Sequence, residues 1–367
     1  MSNRKEICIV GGGLAGLSLA ILTAKNGWKV TVLEKGDYPR PKVCGEYISM
    51  ESYDFLESLG INLSKLNTPI IRNFTLTTEH GISASTKLKT GGFGISRMFL
   101  DHELYKIALK NGVSIKLHSK VTAIEKTDFG FTIQINHGEN LSYPLVVGTF
   151  GRISGLQENK KQNSFVGVKY HVEAGPSEDT IEIHQFKGGY CGVSKVENGA
   201  YNLCYLVNSN ALKSLKGNIE ALEEKVLSRN PSLKKRLQSK KLTEPVVTSK
   251  IFFGTQSSMQ QGYVLLGDAA GFIPPLTGNG MSLAFRSAKK LFLSLQEFQK
   301  HGEYNKLLQE NHQYIQHYLK FRIKKGRFLQ SLLFIQNPIF NKMLCYALVY
   351  VPGLLQILSK QAVGKKI

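Results

Sequence analysis

The chain is short of acid. Its 367 residues carry 27 Asp and Glu against 47 Lys and Arg, a formal net charge of +20. So basic a balance predicts attraction to something anionic: a membrane surface, an acidic carrier protein or an acidic substrate. No zinc finger, RNP signature or basic zipper accompanies the charge, which argues against nucleic acid. Cysteine is sparse too. Cys8, Cys44, Cys191, Cys204 and Cys345 make an odd set with no CxxC pair. That excludes a disulfide framework and a zinc site, and a reducing cytoplasm is the natural setting. The histidines are scattered, and His312 and His317 stand too far apart to share a helical face well, so no metal site is expected. Residues 331–358 are strongly apolar, but Lys342, Pro338 and Pro352-Gly353 interrupt them. No run reaches the roughly 20 residues of a spanning helix.

What is present is an ordinary globular composition, 42% hydrophobic and 20% charged, long enough for two or three structural units. The first apolar residues run straight into a glycine loop, which reads as a buried strand rather than a secretion signal. Ile7 to Val10 would be that strand. Gly11, Gly13 and Gly16 follow in GxGxxG spacing, then a helix over 14–25, a strand over 28–33, and Glu34 at its end. This is a complete βαβ unit. Gly11 permits the tight turn, Gly13 lets backbone approach a pyrophosphate, and Gly16 lets the helix pack closely. The helix N-terminus favours phosphate, and Glu34 accepts from an adenosine ribose. The unit implies an adenine dinucleotide without separating NAD from FAD.

A second element lies far downstream. Residues 262–266 read as a buried strand ending in Gly267-Asp268. Pro274 to Gly280 make a turn containing Gly278, Asn279 and Gly280, and a helix is expected over 281–295. An Asp at a strand's carboxyl end can accept from a ribitol hydroxyl. A helix N-terminus can stabilise negative charge on a reduced flavin. A plain NAD dehydrogenase has no need of this element.

These two motifs resemble the FAD-dependent oxidoreductases of the p-hydroxybenzoate hydroxylase fold group, over about residues 1–300. The resemblance implies a Rossmann-like α/β FAD-binding domain at 1–70, 92–155 and 255–300. It also implies an interleaved antiparallel β-sheet substrate domain at 71–91 and 156–254, with C-terminal helices capping it at 301–367. It implies further that Arg97 contacts the FAD pyrophosphate, against the alternative of a surface residue at a helix start. The pattern from Pro39 to Gly45 resembles the geranylgeranyl reductase-like branch, where this loop runs beside the flavin ring. Cys44 and Gly45 would then lie near the reacting edge. Cys44 either positions substrate and relays a proton or simply fits the loop. Glu46 is either a proton donor or a plain loop carboxylate, and Tyr190 either lines the cavity or belongs to sheet core. The hydroxylases usually carry an Asp where Phe150 stands, which puts direct NADPH use in doubt and leaves the electron donor open. Tryptophan halogenases are relatives, but their Trp-x-Trp signature is absent, since Trp28 is the only tryptophan.

Strands are expected over 72–78, 82–88, 166–173, 180–186 and 201–207, and a helix over 219–227. The expected activity is reduction of carbon–carbon double bonds in an apolar, isoprenoid-like or lipid substrate, free or carrier-bound. A flavin monooxygenase acting on an aromatic or polyketide-like substrate, and a non-catalytic flavin-binding protein, are the alternatives. The C-terminal helices either cap an apolar tunnel or rest peripherally on the inner face of a membrane, beside the basic run Lys320 to Arg327.

Overall fold

The computed structural model describes residues 5–152, 165–251, 253–255, 257–278, 280–333, 343, 346–351, 353–360, 364 and 366–367. Two sheets organise it. The first is six-stranded and is built around the parallel strands Glu6–Val10, Lys29–Leu33, Ser114–Lys116, Val146–Gly148 and Tyr263–Leu265. Met259–Gln260 adds an antiparallel edge. Glu6–Val10 sits between Val146–Gly148 and Lys29–Leu33, and its residues from Ile7 to Val10 are buried. A strand covered on both faces needs this unbroken apolar run. Helix Leu14–Ala24 is apolar nearly all round because it packs against helices Arg97–Lys110 and Gly280–His301. The last of these runs six residues beyond the expected end, continuing an amphipathic pattern through Phe298.

The second sheet has eight strands, in the order Val246–Ile251, Phe165–Val172, Tyr201–Asn208, Gly189–Lys195, Thr180–Phe186, Ile70–Thr77, Ser83–Gly94, Tyr47–Ser49. It differs from the expected antiparallel sheet in one pair. Thr180–Phe186 and Ile70–Thr77 run parallel, because the chain leaves this sheet to add Ser114–Lys116 and Val146–Gly148 to the six-stranded layer before it returns. Tyr47–Ser49, just past the loop expected at Pro39 to Gly45, also joins this sheet by pairing with Ser83–Gly94. A three-stranded antiparallel sheet over Val121–Thr127, Gly130–Ile135 and Asn140–Tyr143 was not anticipated.

Alternation gives the eight-stranded sheet two different faces. Val168, Tyr170, Leu203, Tyr205 and Val193 point to one side and pack with Leu222 and Leu233 of the helices Ile219–Lys225 and Pro231–Leu237. The other side looks towards the six-stranded layer and lines a cavity of about 370 Å³. Helix Tyr304–Leu333 and the helical segments 346–350 and Leu354–Lys360 close the end of that cavity remote from the glycine loop. Among the described residues no helix is long and apolar enough to cross a membrane, and no cluster suits a metal ion.

Candidate active site

The cavity begins at the glycine loop. Gly11 has φ +107°, and its amide donates to Leu33 O at 2.8 Å, which fixes the turn. A Cβ on Gly16 would fall 2.1 Å from Gly11 O, so only glycine lets helix Leu14–Ala24 start so close to the strand. Thr149 Oγ1 donates to Gly11 O at 2.5 Å and ties the loop to the neighbouring strand end. Glu34 is buried at the end of its strand. Its Oε2 accepts from Gly12 N at 2.7 Å, and its Oε1 accepts from Arg40 Nη2 at 2.7 Å and Gly36 N at 3.0 Å. The Tyr38 hydroxyl donates to Gly12 O.

Asp268 enters from the far strand end, where Gly278 adopts φ +63° and helix Gly280–His301 begins. Asn279 lies outside the described residues. Burial raises the Asp268 pKa, and Arg152, Arg97 and Lys42 oppose that rise. Arg152 Nε stands 3.9 Å from Asp268 Oδ2, and its guanidinium lies over the Phe272 ring at 4.4 Å. Its Nη1 is buried with no hydrogen-bond partner among the described residues. Phe150, where an acid was missed, packs against the nucleotide-domain core.

Two ionic clusters bracket the flavin-side loop. Arg97 binds Asp101 through Nε at 2.9 Å and Nη2 at 3.0 Å, and Lys42 reaches the same carboxylate at 2.6 Å. Burial works to raise the Asp101 pKa, but the two cations outweigh it and hold the carboxyl below its usual range. The second cluster centres on Glu46, wholly buried in a left-handed conformation at φ 54°. Glu46 accepts from Lys169 Nζ at 2.9 Å and His171 Nε2 at 2.7 Å, both on one strand of the eight-stranded sheet. It also accepts from Arg97 N at 2.8 Å, at the start of helix Arg97–Lys110. One carboxylate therefore joins the loop at Pro39 to Gly45, the helix and the eight-stranded sheet.

Cys44 and Gly45 line the cavity between these clusters. The Cys44 Sγ accepts from Glu46 N at 3.5 Å and touches Met281 Sδ at 3.8 Å. Burial pushes the thiol pKa up, so Cys44 is a neutral thiol at neutral pH. Tyr190 also lines the cavity, and burial holds its phenol well above the usual value. Cross-strand register places Lys169, Cys204, Gly192, Ile183 and Leu76 in one row across the sheet face. The row passes from a charged end near the loop to an apolar end. Beyond it lie Ile251, Leu329, Leu348, Leu355 and Leu358.

The residues fit a flavin dinucleotide. A Cβ at Gly13, Gly45 or Gly280 would meet nothing within 4 Å, so the backbone is open to a ligand at these three points of the polar side of the cavity. The buried, unpaired Arg152 Nη1 supplies a donor to match. The comparisons agree. The FAD binding domain family matches residues 4–169, and the squalene epoxidase family matches residues 212–324. The chain is an FAD-dependent oxidoreductase. This flavoenzyme is 28% identical to a digeranylgeranylglycerophospholipid reductase of Methanococcus vannielii, over 76% of this chain and 73% of that protein. It is 24% identical to the 3-demethoxyubiquinol 3-hydroxylase of Escherichia coli, over 81% of each. In fold it matches a geranylgeranyl bacteriochlorophyll reductase-like protein of Thermoplasma acidophilum, with TM-score 0.79 and 18% identity over 98% and 96% of the two chains.

Sequence reasoning brought Gly11, Gly13, Cys44, Gly45, Glu46, Arg97, Tyr190, Asp268, Gly278 and Gly280 towards one site, and all of these border the cavity except Gly11, which shapes the loop behind it. It overlooked Arg152, Lys42, Asp101, Lys169 and His171. Arg97 and Asp101 stand four apart on a helix, a spacing that signals their pair. Lys169 and His171 alternate on one strand, but their partner is over a hundred residues away, and no local pattern announces it.

Proposed function

We propose that this flavoenzyme reduces carbon–carbon double bonds of an apolar, isoprenoid-like or lipid substrate. The observation that carries the reading is the polarity gradient within one cavity. Charged and hydrogen-bonding groups gather where Gly13, Cys44, Arg152 and Asp268 meet, and the rest of the lining is mostly apolar, with leucines and isoleucines joined by the rings of Phe74, Tyr190 and Phe272. Such a lining suits a long hydrocarbon whose reactive end lies against the polar groups. When bound, FAD supplies hydride transfer.

The protein's own part is positional. The glycine loop and the N-terminus of Leu14–Ala24 would hold the pyrophosphate and Arg97 and Asp268 the middle of the dinucleotide, while Glu34, bonded to Gly12 N, Gly36 N and Arg40, would shape the loop around the ribose. The head of Gly280–His301 offers backbone N–H groups to the flavin end. Cys44 and Tyr190 are neutral groups at the cavity wall, so either can hold a proton beside the carbon being reduced. Glu46 already accepts from three donors, which favours an anchoring role over proton donation. The described cysteines Cys8, Cys44, Cys191 and Cys204 are free thiols, which supports a reducing, cytoplasmic setting.

The test is anaerobic reduction of the flavin with NADPH, NADH or dithionite, followed by a series of polyprenyl acceptors. Reoxidation by an acceptor, with product that has gained two hydrogens, supports the reading. A second reading, oxygen insertion, is favoured by the squalene epoxidase match over residues 212–324. Oxygen uptake coupled to an oxygenated product, with no anaerobic turnover, would replace the first reading with the second.

A further inference from the structure

Two basic runs of the sequence, Lys234 to Lys241 and Lys320 to Arg327, have different fates. In the first, Arg236 forms a two-point bond to Glu182 and Lys241 pairs with Glu223, so part of that charge is neutralised within the molecule. The second lies on helix Tyr304–Leu333, where Arg322 is buried and Arg327 Nη2 donates to Phe253 O at 2.8 Å, while Lys320 and Lys324 face outwards. From Asn311 to Ile367 the sequence holds nine Lys and Arg and no Asp or Glu. Lys320, Lys324 and Arg327 are exposed on this helix.

The same exposed face carries aromatic rings. Tyr314, Phe321 and Phe328 stand seven residues apart and are 38%, 55% and 57% exposed. Lys325 Nζ lies over the Phe321 ring at 4.2 Å. The neighbouring helical segments add Tyr350 at 73% and Ile357 at 55% exposure. A globular surface rarely displays so many large apolar side chains together. Rings set among cations, on a helix whose one exposed acid past Glu303, Glu310, already faces Lys290 at 3.7 Å, match the headgroup boundary of an anionic bilayer. A second copy of the chain would bring two basic faces together. An acidic carrier would complement the lysines but not the projecting rings.

Position adds a reason. Leu329 and Leu332 of this helix, with Leu348, Leu355 and Leu358, form the apolar wall of the substrate cavity. The elements that would touch lipid on one side enclose the cavity on the other.

We infer that the outer face of helix Tyr304–Leu333, together with segments 346–350 and Leu354–Lys360, docks on an anionic lipid surface, so that an apolar substrate enters the cavity from the bilayer. The entry route rests on the proposed substrate class, whereas docking does not. The two are therefore measured apart.

The flavin-loaded full chain is floated with phosphatidylcholine vesicles that contain or lack phosphatidylglycerol. It is expected to float with the anionic vesicles and to be released by salt. Lys320→Gln and Lys324→Gln should each weaken binding about fivefold. Phe321→Glu with Phe328→Glu should abolish it, while flavin content, melting temperature and turnover of a short detergent-dispersed substrate stay at wild-type values. Equal flotation of these variants, or failure of the wild type to float with anionic vesicles, overturns the inference. Flotation with no reduction of any apolar acceptor would leave docking intact and remove the substrate reading.

Discussion

At the scale of single residues, buried charges dominate. Lys169 is fully buried, and Glu46 is its carboxylate partner. Replacing Glu46 with Gln leaves that ammonium without a counter-charge, and removing one partner of a buried pair typically costs about 3–5 kcal/mol. Denaturant unfolding of the variant should show a loss in this range, and a change within error would mean that Lys169 finds water. The Cys44 thiol behaves oppositely to a reactive cysteine. Because burial raises its pKa, turnover should show no wild-type-specific inflection near the free thiol value of about 8.5. Matched pH profiles of wild type and Cys44→Ser would bear this out, and an inflection lost in the variant would assign Cys44 an ionising role.

Acid sensitivity also belongs to particular residues. Burial works to raise the Glu182 pKa, but hydrogen bonds from His184 and Arg236 outweigh it and bring the pKa down to about 2. Asp101 is lowered as well. A carboxylate whose pKa is depressed in the folded state contributes stability that is complete above its unfolded pKa and disappears as pH falls through the folded one. Chemical-denaturation midpoints should therefore hold steady down to about pH 4.5 and fall steeply towards pH 2. Arg236→Gln should flatten part of that fall.

At the scale of elements, close approach sets the limits. Gly192 lies at the centre of the sheet face, where an added Cβ would stand 3.4 Å from Ile183 Cδ1. Gly192→Leu should leave flavin content unchanged and reduce turnover of long substrates more than short ones, as read from kcat/KM across a chain-length series. At Gly16 the geometry is stricter, since a Cβ would collide with backbone at Gly11 O. Gly16→Val should yield protein that purifies with little flavin, and a fully yellow variant would show that the helix can shift without harm.

At the scale of the whole molecule, a single cavity joins two sheets and the C-terminal helices. A ligand binding there stabilises everything it touches. Added FAD at a hundred times its dissociation constant should stabilise the fold by about 2.7 kcal/mol, visible as a rise in melting temperature. Asp268→Ala should shrink that rise by weakening the flavin site. The apoprotein melting temperature provides the control, because Asp268 forms no strong pair to lose.

The sequence by itself determined the nucleotide-binding layer. Gly11, Gly16 and Glu34 act within one βαβ unit, and Asp268 with Gly278 acts within one strand–turn–helix, so their spacing carries their geometry. The hairpin and most strands of the second sheet were legible for the same reason, since alternation is local. Only the tertiary structure decided the rest. The parallel pair in the second sheet depends on where a distant segment re-enters, and Tyr47–Ser49 becomes a strand only because Ser83–Gly94 offers it an edge. Lys169 and His171 converge on Glu46 from more than a hundred residues away, and Arg152 meets Asp268 across a similar gap. Backbone hydrogen bonds and hydrophobic periods act between near neighbours and leave a repeating trace in the chain. Ion pairs and cavity walls join residues that are close only after folding, and they leave none.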